Sequence, residues 1–466
     1  MAPDGDRTHF ASTPPHQTPS MTDPGAPPRA LLPTAVRPTA VRAGALVAPA
    51  RHGGAVGPRD VTAPHAPLAP AGLALGPLLL VGALLVVFHA VVHWIGVYGL
   101  HRDELLYLAM GRHLRLWAMD FPPFIALVAE ASRALLGQTD VAIRAAPALA
   151  HAALAGMAGV LAYELRGRWG AQLLAAGCVA ASPLFLRAGG LFQPVVFDQL
   201  WWALAFLALV RIGRAADERA AVPPAARGLV RTSPVQGVEM VWTTPDGRRR
   251  RTPWRERAGA WIAHAASSPW MLLGVAGGLG LLTKFSILFL GVGVLVALAT
   301  TSLRRTLATP RPWLAAALAL TIGAPSWVGQ LRLGWPVVGQ LTDLRTSQLV
   351  HVSLVDFLVG QPQMLGPSIL LAGLGAWTLL RARWARSARP AAVAALATFA
   401  LLALLRGKAY YAGPIYPLLF AAGAVALEHR AWGGRRTRLG PRGRTLAAAA
   451  VVGVFGLVAL PIAVPV

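Results

Sequence analysis

Long apolar runs recur along the chain from about residue 73 to its end, separated by short polar and proline- or glycine-rich stretches. Crossing about 30 Å of hydrocarbon takes roughly 20 residues of helix, at about 1.5 Å per residue. Backbone groups must be hydrogen-bonded within lipid, so the runs are predicted to be helices. The pattern predicts an all-α, polytopic transmembrane helical bundle of roughly 11 spans, near residues 73–98, 143–163, 171–188, 195–212, 269–283, 286–301, 313–330, 363–380, 390–405, 410–427 and 446–463.

Composition agrees with a membrane protein. Hydrophobic residues make up 55% of the chain and charged residues 13%, and the mean hydropathy is +0.53. Residues 1–70 are rich in Pro, Ala, Thr and Gly without apolar periodicity, which predicts a disordered cytoplasmic tail before a transmembrane domain at 71–465. The tail lacks the apolar core of a signal peptide, so the first span is the expected insertion signal, whether the chain starts at Met1 or Met21.

The positive charge follows the loops. The formal net charge is +24, and an excess of Lys and Arg marks cytoplasmic loops, which predicts the membrane orientation and argues against a nucleic-acid partner. The first loop, 101–142, has nearly balanced charge and is predicted to be extracytoplasmic. The longest loop, 213–268, is predicted to lie on the inner membrane surface. The basic loops all fall on one side of the predicted topology, at 166–170, 211–268, 303–312, 381–389 and 429–444.

The first outer loop holds the densest group of polar side chains, beginning with HRDELLYLA. Asp103 and Tyr107 are four residues apart and share a helical face, with Glu104 rotated by about 100°. An aspartate at the membrane surface can act as a base; alternatively, both acids simply mark the start of an interfacial helix. Asp120 precedes two prolines that predict an extended segment turning back to the membrane, where it is either a functional carboxylate or a turn residue.

Further charged residues stand at predicted outer span ends. Arg144 lies at the mouth of the second span, against the positive-inside rule, and either binds a ligand or snorkels to the interface. Asp198 begins the fourth span, where a helix-end carboxylate is the simpler interpretation. Trp201 and Trp202 beside it are predicted to be interfacial anchors. Cys178, the single cysteine, lies within a span and excludes an intrachain disulfide.

Only two of the 43 basic residues are lysines, Lys284 and Lys408. The predicted topology places both at the outer ends of spans, with Arg406 beside the second. A cation at membrane depth costs about 2.5–3.5 kcal/mol, so it usually has a partner, such as an anionic lipid phosphate. The alternative is that both lysines snorkel to the interface without a ligand.

Six segments in register resemble bacterial membrane glycosyltransferases of the dolichyl-phosphate-mannose protein mannosyltransferase type, a superfamily that includes the aminoarabinose transferases of lipid A. The similarity runs from about residue 75 to 428. It leaves out the tail and the long basic loop. The segments are HRDELLYLA, DFPPF, IRAAPAL, FQPVVFD, GLLTKFSILFL and RGKAYYAGPIYPLLFAAGAVALE.

The resemblance implies a GT-C fold with short interfacial helices in the first outer loop, a polyprenyl-phosphate sugar donor and inversion at the anomeric carbon. It makes Asp103 the expected base and Glu104 its companion. Lys284, Lys408 and Arg406 are the expected contacts of the donor phosphate. The second segment reads DFPPF, without the lysine of the aminoarabinose branch, which leaves the donor sugar open. Other expected substrate contacts are Tyr107, Asp120, Arg144, Asp198 and Tyr410.

A divalent metal ion is an open expectation, because some relatives place one beside the acidic pair. Oxygen ligands from Asp103, Glu104 and Asp120 could hold it here. The sequence contains no Walker motif, no Cys/His cluster with metal-ligand spacing and no internal repeat.

The predicted protein is a multi-pass enzyme of the cell inner (plasma) membrane, active on the extracytoplasmic face. Its expected partners are the lipid bilayer, a polyprenyl-phosphate sugar donor and an acceptor hydroxyl on a protein, polysaccharide or lipid. A transporter or lipid flippase is the alternative, but such proteins often have repeated halves and ionisable residues near the bilayer midplane. Here the polar residues gather at one face. An inactive scaffold is the third alternative.

Overall fold

The computed structural model describes residues 72–96, 99–221, 241–243, 249–251, 268–429 and 440–463. The predicted tail at 1–70 and most of the predicted basic loop at 213–268 lie outside the described residues. The following statements concern the described part of the chain.

The first half of the described chain is helical. Two short helices, α2 and α3, occupy the first predicted outer loop, where interfacial helices are expected. A small antiparallel hairpin follows, in which Val241 pairs with Arg251 and Thr243 with Arg249. The elements are α1 Leu75–Ile95, α2 Arg102–Arg112, α3 Phe124–Leu136, α4 Asp140–Glu164, α5 Trp169–Ala181, α6 Pro183–Gly190, α7 Val195–Ala221, β1 Val241–Thr243 and β2 Arg249–Arg251.

The second half consists of helices joined by short 3₁₀ segments, which lie at Ser302–Ala308, Leu349–His351, Arg386–Ala388 and Ala409–Ile415. The α-helices are α8 Pro269–Thr283, α9 Ile287–Thr300, α10 Pro310–Ile322, α11 Ala324–Arg332, α12 Pro336–Ser347, α13 Leu354–Leu365, α14 Ser368–Arg381, α15 Arg389–Leu404, α16 Tyr416–Glu428 and α17 Pro441–Ala463.

Six helices among the described residues are long and apolar enough to cross a membrane, and counting each of four bent pairs as one span gives ten. The shorter apolar helix α8 lies at the remaining predicted span. A helix or bent pair therefore occurs at every one of the roughly 11 predicted places, and the predicted all-α membrane bundle is confirmed.

Four of the predicted spans are bent rather than straight. The α5–α6 pair bends by 64° before Pro183, and the α10–α11 pair by 60° at Gly323. Proline lacks the N–H that would continue a helix, and glycine relaxes the backbone. The sharpest bend, 111° between α13 and α14, falls at Gly366, whose φ of +55° favours glycine. Apolar periodicity does not detect such breaks.

Helix α4 lies at the centre of the bundle and packs against α1, α5, α7 and α16. Small residues bring neighbouring helices close, as is common in membranes. Between α14 and α16, a Cβ at Gly375 would clash with the carbonyl oxygen of Leu419, and one at Gly423 with that of Leu371. The same central helix presents Arg144 to the first predicted outer loop, which links the core to the candidate site.

Candidate functional site

Helix α2 begins with a capping box that fixes its orientation. The His101 side chain accepts a hydrogen bond from the Asp103 N–H at 3.2 Å, and Glu104 accepts one from the His101 N–H at 2.7 Å. These bonds satisfy donors that every helix start leaves unpaired. Asp103 and Glu104 therefore stand in the first turn of α2, as the sequence predicts, but they point into different surroundings.

Glu104 is fully buried and paired with Arg144. Arg144 donates from Nε to Oε1 at 2.9 Å and from Nη2 to Oε2 at 2.7 Å, and the Phe192 N–H donates to Oε1 at 2.7 Å. Burial alone would raise the pKa of Glu104, but the hydrogen bonds from Arg144 and from the N–H groups of Phe192 and His101 outweigh it and lower that pKa. Glu104 is held as a carboxylate that joins α2, α4 and the segment after α6.

Arg144 does not snorkel to the interface. Its side chain is 5% exposed, and Nη2 also donates to the Gly99 carbonyl oxygen at 3.0 Å. Asp140 approaches Nη1 at 3.8 Å from the same helix. The guanidinium is thus held within the fold by groups at both ends of the first predicted outer loop, Gly99 before it and Asp140 at its close.

Asp103 has a more open position. Its side chain is 42% exposed, and Oδ2 accepts a long hydrogen bond of 3.4 Å from Gln193 Nε2. The exposed Arg102 approaches Oδ1 at 3.4 Å. Unlike Glu104, this carboxylate keeps acceptor capacity for a further partner.

Tyr107 lies one helical turn from Asp103 and is half-buried. Burial and, secondarily, the Asp103 charge raise the pKa of Tyr107 to about 12, so the phenol stays protonated and can donate a hydrogen bond. Tyr410, from the 3₁₀ segment before α16, interacts electrostatically with both Tyr107 and Asp103. Residues separated by some 300 positions therefore meet at α2.

Lys284 caps the C-terminal end of α8, where its backbone N–H donates to the Gly280 carbonyl oxygen. Its ammonium lies 5.5 Å from the ring centre of Tyr410 and 5.1 Å from that of Tyr411. Such cation–π contacts stabilise a cation away from bulk water. Lys284 also interacts electrostatically with Asp198 and Lys408. The lysine therefore has protein partners at the C-terminal end of α8, which is the predicted outer end.

Asp198 stands in the first turn of α7, as a helix-end carboxylate would, and is buried at 3% exposure. It accepts hydrogen bonds from Ser286 Oγ at 2.7 Å and from Trp202 Nε1 at 3.1 Å. Trp202 is 1% exposed, so its prediction as an interfacial anchor is wrong. Its indole lies inside the fold because the N–H donates a hydrogen bond to Asp198. Trp201 donates to Thr283 at 2.9 Å, beside Lys284.

Lys408 is half-buried, and its ammonium donates a hydrogen bond to Gln348 Oε1. Gln348 follows α12, a helix without buried residues. Arg406 next to the lysine is exposed, has a φ of +51° and makes no ion pair with any described residue. Lys408 thus contacts the residue that follows α12, and Arg406 stands apart from the other predicted residues.

Asp120 is exposed, and its carboxylate accepts only its neighbour's N–H among the described residues. Its backbone is fixed from afar, because the buried Gln330 donates from Nε2 to the Asp120 carbonyl oxygen at 2.6 Å. Pro123 adopts helical angles as the N-cap of α3, rather than extending the chain as predicted. No group of three or more His, Cys, Asp or Glu among the described residues could hold a metal ion, and Glu104 is already occupied. These carboxylates do not fit the expected metal site.

The contacts join most of the predicted residues into one candidate site. Asp103, Tyr107 and Tyr410 meet at one side of it, and Lys284, Lys408 and Asp198 at the other. Sequence reasoning missed the polar residues that hold these groups: Tyr411, Ser286, Gln193, Gln348 and Gln330. The only feature that marks these residues in the sequence is a polar side chain within or beside an apolar run.

Comparisons with known proteins confirm the resemblance inferred from the six segments. Residues 260–328, which include Lys284, match the family described as dolichyl-phosphate-mannose-protein mannosyltransferase. Two solved structures of ArnT from Cupriavidus metallidurans share the fold: the undecaprenyl-phosphate-bound form at TM-score 0.54 and 19% identity, and the apo form at TM-score 0.52 and 21% identity. Each match covers 84% of this chain and 65% of the ArnT chain. No curated protein sequence matches the chain.

The chain thus has the GT-C-like fold of a multi-pass integral membrane protein, as predicted. It spans 65% of the length of the ArnT chains.

Proposed function

We propose that the protein is an integral membrane glycosyltransferase that moves a sugar from a polyprenyl-phosphate-linked donor to an acceptor hydroxyl, with inversion at the anomeric carbon. One observation carries the proposal. An accessible carboxylate, Asp103, and a lysine from a separate part of the chain, Lys284, both lie near Tyr410, and Lys284 in turn interacts electrostatically with Lys408. A base and paired cations are what transfer from a phosphate leaving group requires.

Asp103 acts as the base in the proposed reaction. Its carboxylate takes the proton of the acceptor hydroxyl while the hydroxyl oxygen forms a bond to the anomeric carbon. The bond between that carbon and the donor phosphate oxygen breaks on the opposite face, and its electron pair stays on the phosphate. The 42% exposure of Asp103 and its one long hydrogen bond, from Gln193, leave room for the acceptor.

Lys284 and Lys408 neutralise the departing prenyl phosphate. Charge localises on the phosphate oxygens as the bond breaks, so fixed cations lower the energy of the transition state more than that of the ground state. Tyr410 and Tyr411 hold the Lys284 ammonium through their rings. Asp198 interacts electrostatically with this lysine and is itself fixed by Ser286.

Glu104 and Arg144 act as positioning residues. Four hydrogen bonds occupy the Glu104 carboxylate, which leaves it little capacity for a substrate. Both side chains are at most 5% exposed. Their ion pair fixes the first turn of α2 against α4, and Asp103 sits on that turn. Tyr107 donates its phenolic hydrogen to the bound substrate beside Asp103.

The donor carrier is a polyprenyl phosphate of the inner membrane, and the reaction takes place on the extracytoplasmic face. The ArnT structure of the same fold contains undecaprenyl phosphate, which supports this class of carrier. The balanced charge of loop 101–142 and the arginine excess of the opposite loops support the orientation. The acceptor is a hydroxyl on a protein, a polysaccharide or a lipid.

The test is transfer of labelled sugar by the purified protein. It is incubated with a panel of polyprenyl-phosphate sugars and with membrane extract as the source of acceptors. Label should move from the donor to an acceptor and free polyprenyl phosphate should be released. Movement of intact donor across sealed vesicles without release of free carrier would instead identify a flippase, and the proposal would be abandoned.

A further inference from the structure

Three histidines form a buried polar string inside the helix bundle. His89 and His93 lie one turn apart on α1, and His151 faces them from α4. His89 and His151 have no exposed surface. Helix α1 is otherwise apolar, and ionisable groups in such spans are rare and usually have a specific role. None of the three belongs to the candidate site described above.

Hydrogen bonding assigns the proton positions in this string. His151 Nε2 lies 3.2 Å from the Val179 carbonyl oxygen, which can only accept, so Nε2 carries the hydrogen. In the neutral ring, His151 Nδ1 is then an acceptor, and His89 Nε2, at 3.0 Å, donates to it. His89 Nδ1 is consequently a bare acceptor. No carboxylate within the described part of the chain pairs with His89 or His151, which favours neutral rings.

At the other end the assignment is reversed. Arg144 Nη1 lies 3.4 Å from His93 Nδ1, and a guanidinium can only donate, so His93 Nδ1 accepts. His93 Nε2 therefore carries the hydrogen. The rings of His89 and His93 are stacked, with centres 6.2 Å apart and planes 15° apart. Thus an acceptor, His89 Nδ1, and a donor, His93 Nε2, are both buried without a partner among the residues that the structure describes, and they are chemically complementary.

Gly190 lies next to the rings of His89 and His93. A Cβ built on Gly190 would lie 3.6 Å from His89 Nδ1 and 3.9 Å from His93 Cε1. A buried polar space with a donor and an acceptor in reach suits one water molecule, which can accept from one ring and donate to the other. Glycine at this position keeps the space free of a side chain.

We propose that His151, His89, one bridging water and His93 form a hydrogen-bonded relay that orients the Arg144 guanidinium, and with it Glu104 and the Asp103-bearing turn of α2. His93 is thereby a positioning residue for the reaction under "Proposed function", on which its effect on catalysis rests. The relay fixes ring tautomers. It does not deliver a proton to substrate, because arginine stays protonated at its end.

Amide side chains test the two rings separately, because the amide of Asn can stand in for Nδ1 of histidine and that of Gln for Nε2. At position 93 the contact to Arg144 uses Nδ1, so His93→Asn gives up only the bond to the water and should lower kcat severalfold at most, whereas His93→Gln should lower kcat about tenfold or more by misplacing α2. At position 89 the bond to His151 uses Nε2, so His89→Gln, which also gives up only the bond to the water, should be the milder change and His89→Asn the more damaging one. KM for the donor should change little.

Opposite preferences at the two positions are the expected signature. Equal tolerance, equal damage or the same preference at both would overturn the relay, because a role in filling volume does not distinguish the two amides in opposite directions. The exposed His113→Gln serves as the matched control and should behave as the wild type does.

The bridging water is tested at Gly190. Gly190→Ala fits at ordinary contact distance but occupies the water's space, so kcat should fall severalfold. Gly190→Ser supplies its own hydroxyl between the two rings and should restore turnover relative to alanine. Turnover of the serine variant no higher than that of the alanine variant would remove the water from the proposal.

A readout that needs no substrate separates this inference from the proposed function. Hydrogen exchange of the backbone amides of 99–112 should accelerate in His93→Gln and not in His93→Asn, while exchange in α16 stays unchanged. If the wild type transfers no sugar but this exchange pattern is found, the proposed function fails and the relay stands. If transfer occurs but exchange at 99–112 is the same in both variants, the relay fails alone.

Discussion

The Arg144 guanidinium and the Glu104 carboxylate form a two-pronged ion pair, with N–O distances of 2.9 and 2.7 Å, across forty positions of sequence and almost out of contact with solvent. Paired parallel hydrogen bonds of this kind fix direction as well as distance. The pair connects the centre of the bundle to the first turn of α2. The main consequence of the pair is the placement of Asp103. This residue directly precedes Glu104, but its side chain faces a different environment.

Removing one partner of this pair should destabilise the fold more than removing both. Arg144→Met leaves a buried carboxylate without its counter-charge and should lower the free energy of unfolding by about 3–5 kcal/mol, whereas the double variant with Glu104→Gln should recover part of that loss. Thermal unfolding in detergent, followed for both single variants and the double variant, measures the coupling. Strictly additive effects would contradict a direct pair.

Asp103→Asn tests the proposed base. The amide keeps the size of the side chain but cannot take a proton, so turnover should fall by about two to four orders of magnitude while the protein remains folded. The rate is measured by transfer of labelled sugar under single-turnover conditions. Glu130→Gln is the control, because Glu130 lies on α3 in the same loop and, among the described residues, forms an ion pair only with Arg133. A folded Asp103→Asn protein with wild-type turnover would exclude Asp103 as the base.

The places of the helices could be predicted from apolar runs because a membrane span needs length and apolarity, and both are local properties of sequence. The bends could be expected only in part, since Pro183 and Gly366 mark them but do not determine the angle. The place of Asp103 in the first turn of α2 was likewise predictable. The different roles of Asp103 and Glu104 were not predictable, because they depend on the contact of Glu104 with Arg144, which lies on helix α4.

The partners of Lys284 and Lys408 could not be predicted from the sequence either. Lys284 and Lys408 stand out by rarity alone, whereas Tyr411 and Gln348 carry no signal that would connect them to those lysines. Trp202 was misassigned for a related reason. Tryptophan near a span end usually lies at the interface, and only the buried Asp198 beside it explains an indole turned inward.

Membrane orientation is testable by cysteine labelling in a Cys178→Ser background, where the native thiol, which is fully buried, is removed. Arg345→Cys on α12 should react with an impermeant reagent added from outside, and Val230→Cys only after the membrane is opened, because arginine excess marks the inner side. Labelling of position 230 from outside in sealed cells would reverse the topology and place the site on the wrong face.

The two lysines should contribute to the chemical step and not only to donor binding. If they neutralise the phosphate as its bond to the sugar breaks, Lys284→Met and Lys408→Met should each lower kcat by about 10²-fold or more, since each deletes a preorganised cation but keeps most of the apolar stem. Lys→Arg should be intermediate at Lys284, because a planar guanidinium does not reproduce an ammonium beside the Tyr410 and Tyr411 rings.

Arg305→Met, at an exposed position in the predicted cytoplasmic loop 303–312, is the control and should leave turnover unchanged. Lysines that merely snorkel would tolerate arginine fully, and their methionine variants would lose expression rather than turnover. Single-turnover rates normalised to folded protein separate the two cases, and near wild-type rates for both methionine variants would exclude a role for these lysines in the departure of the phosphate.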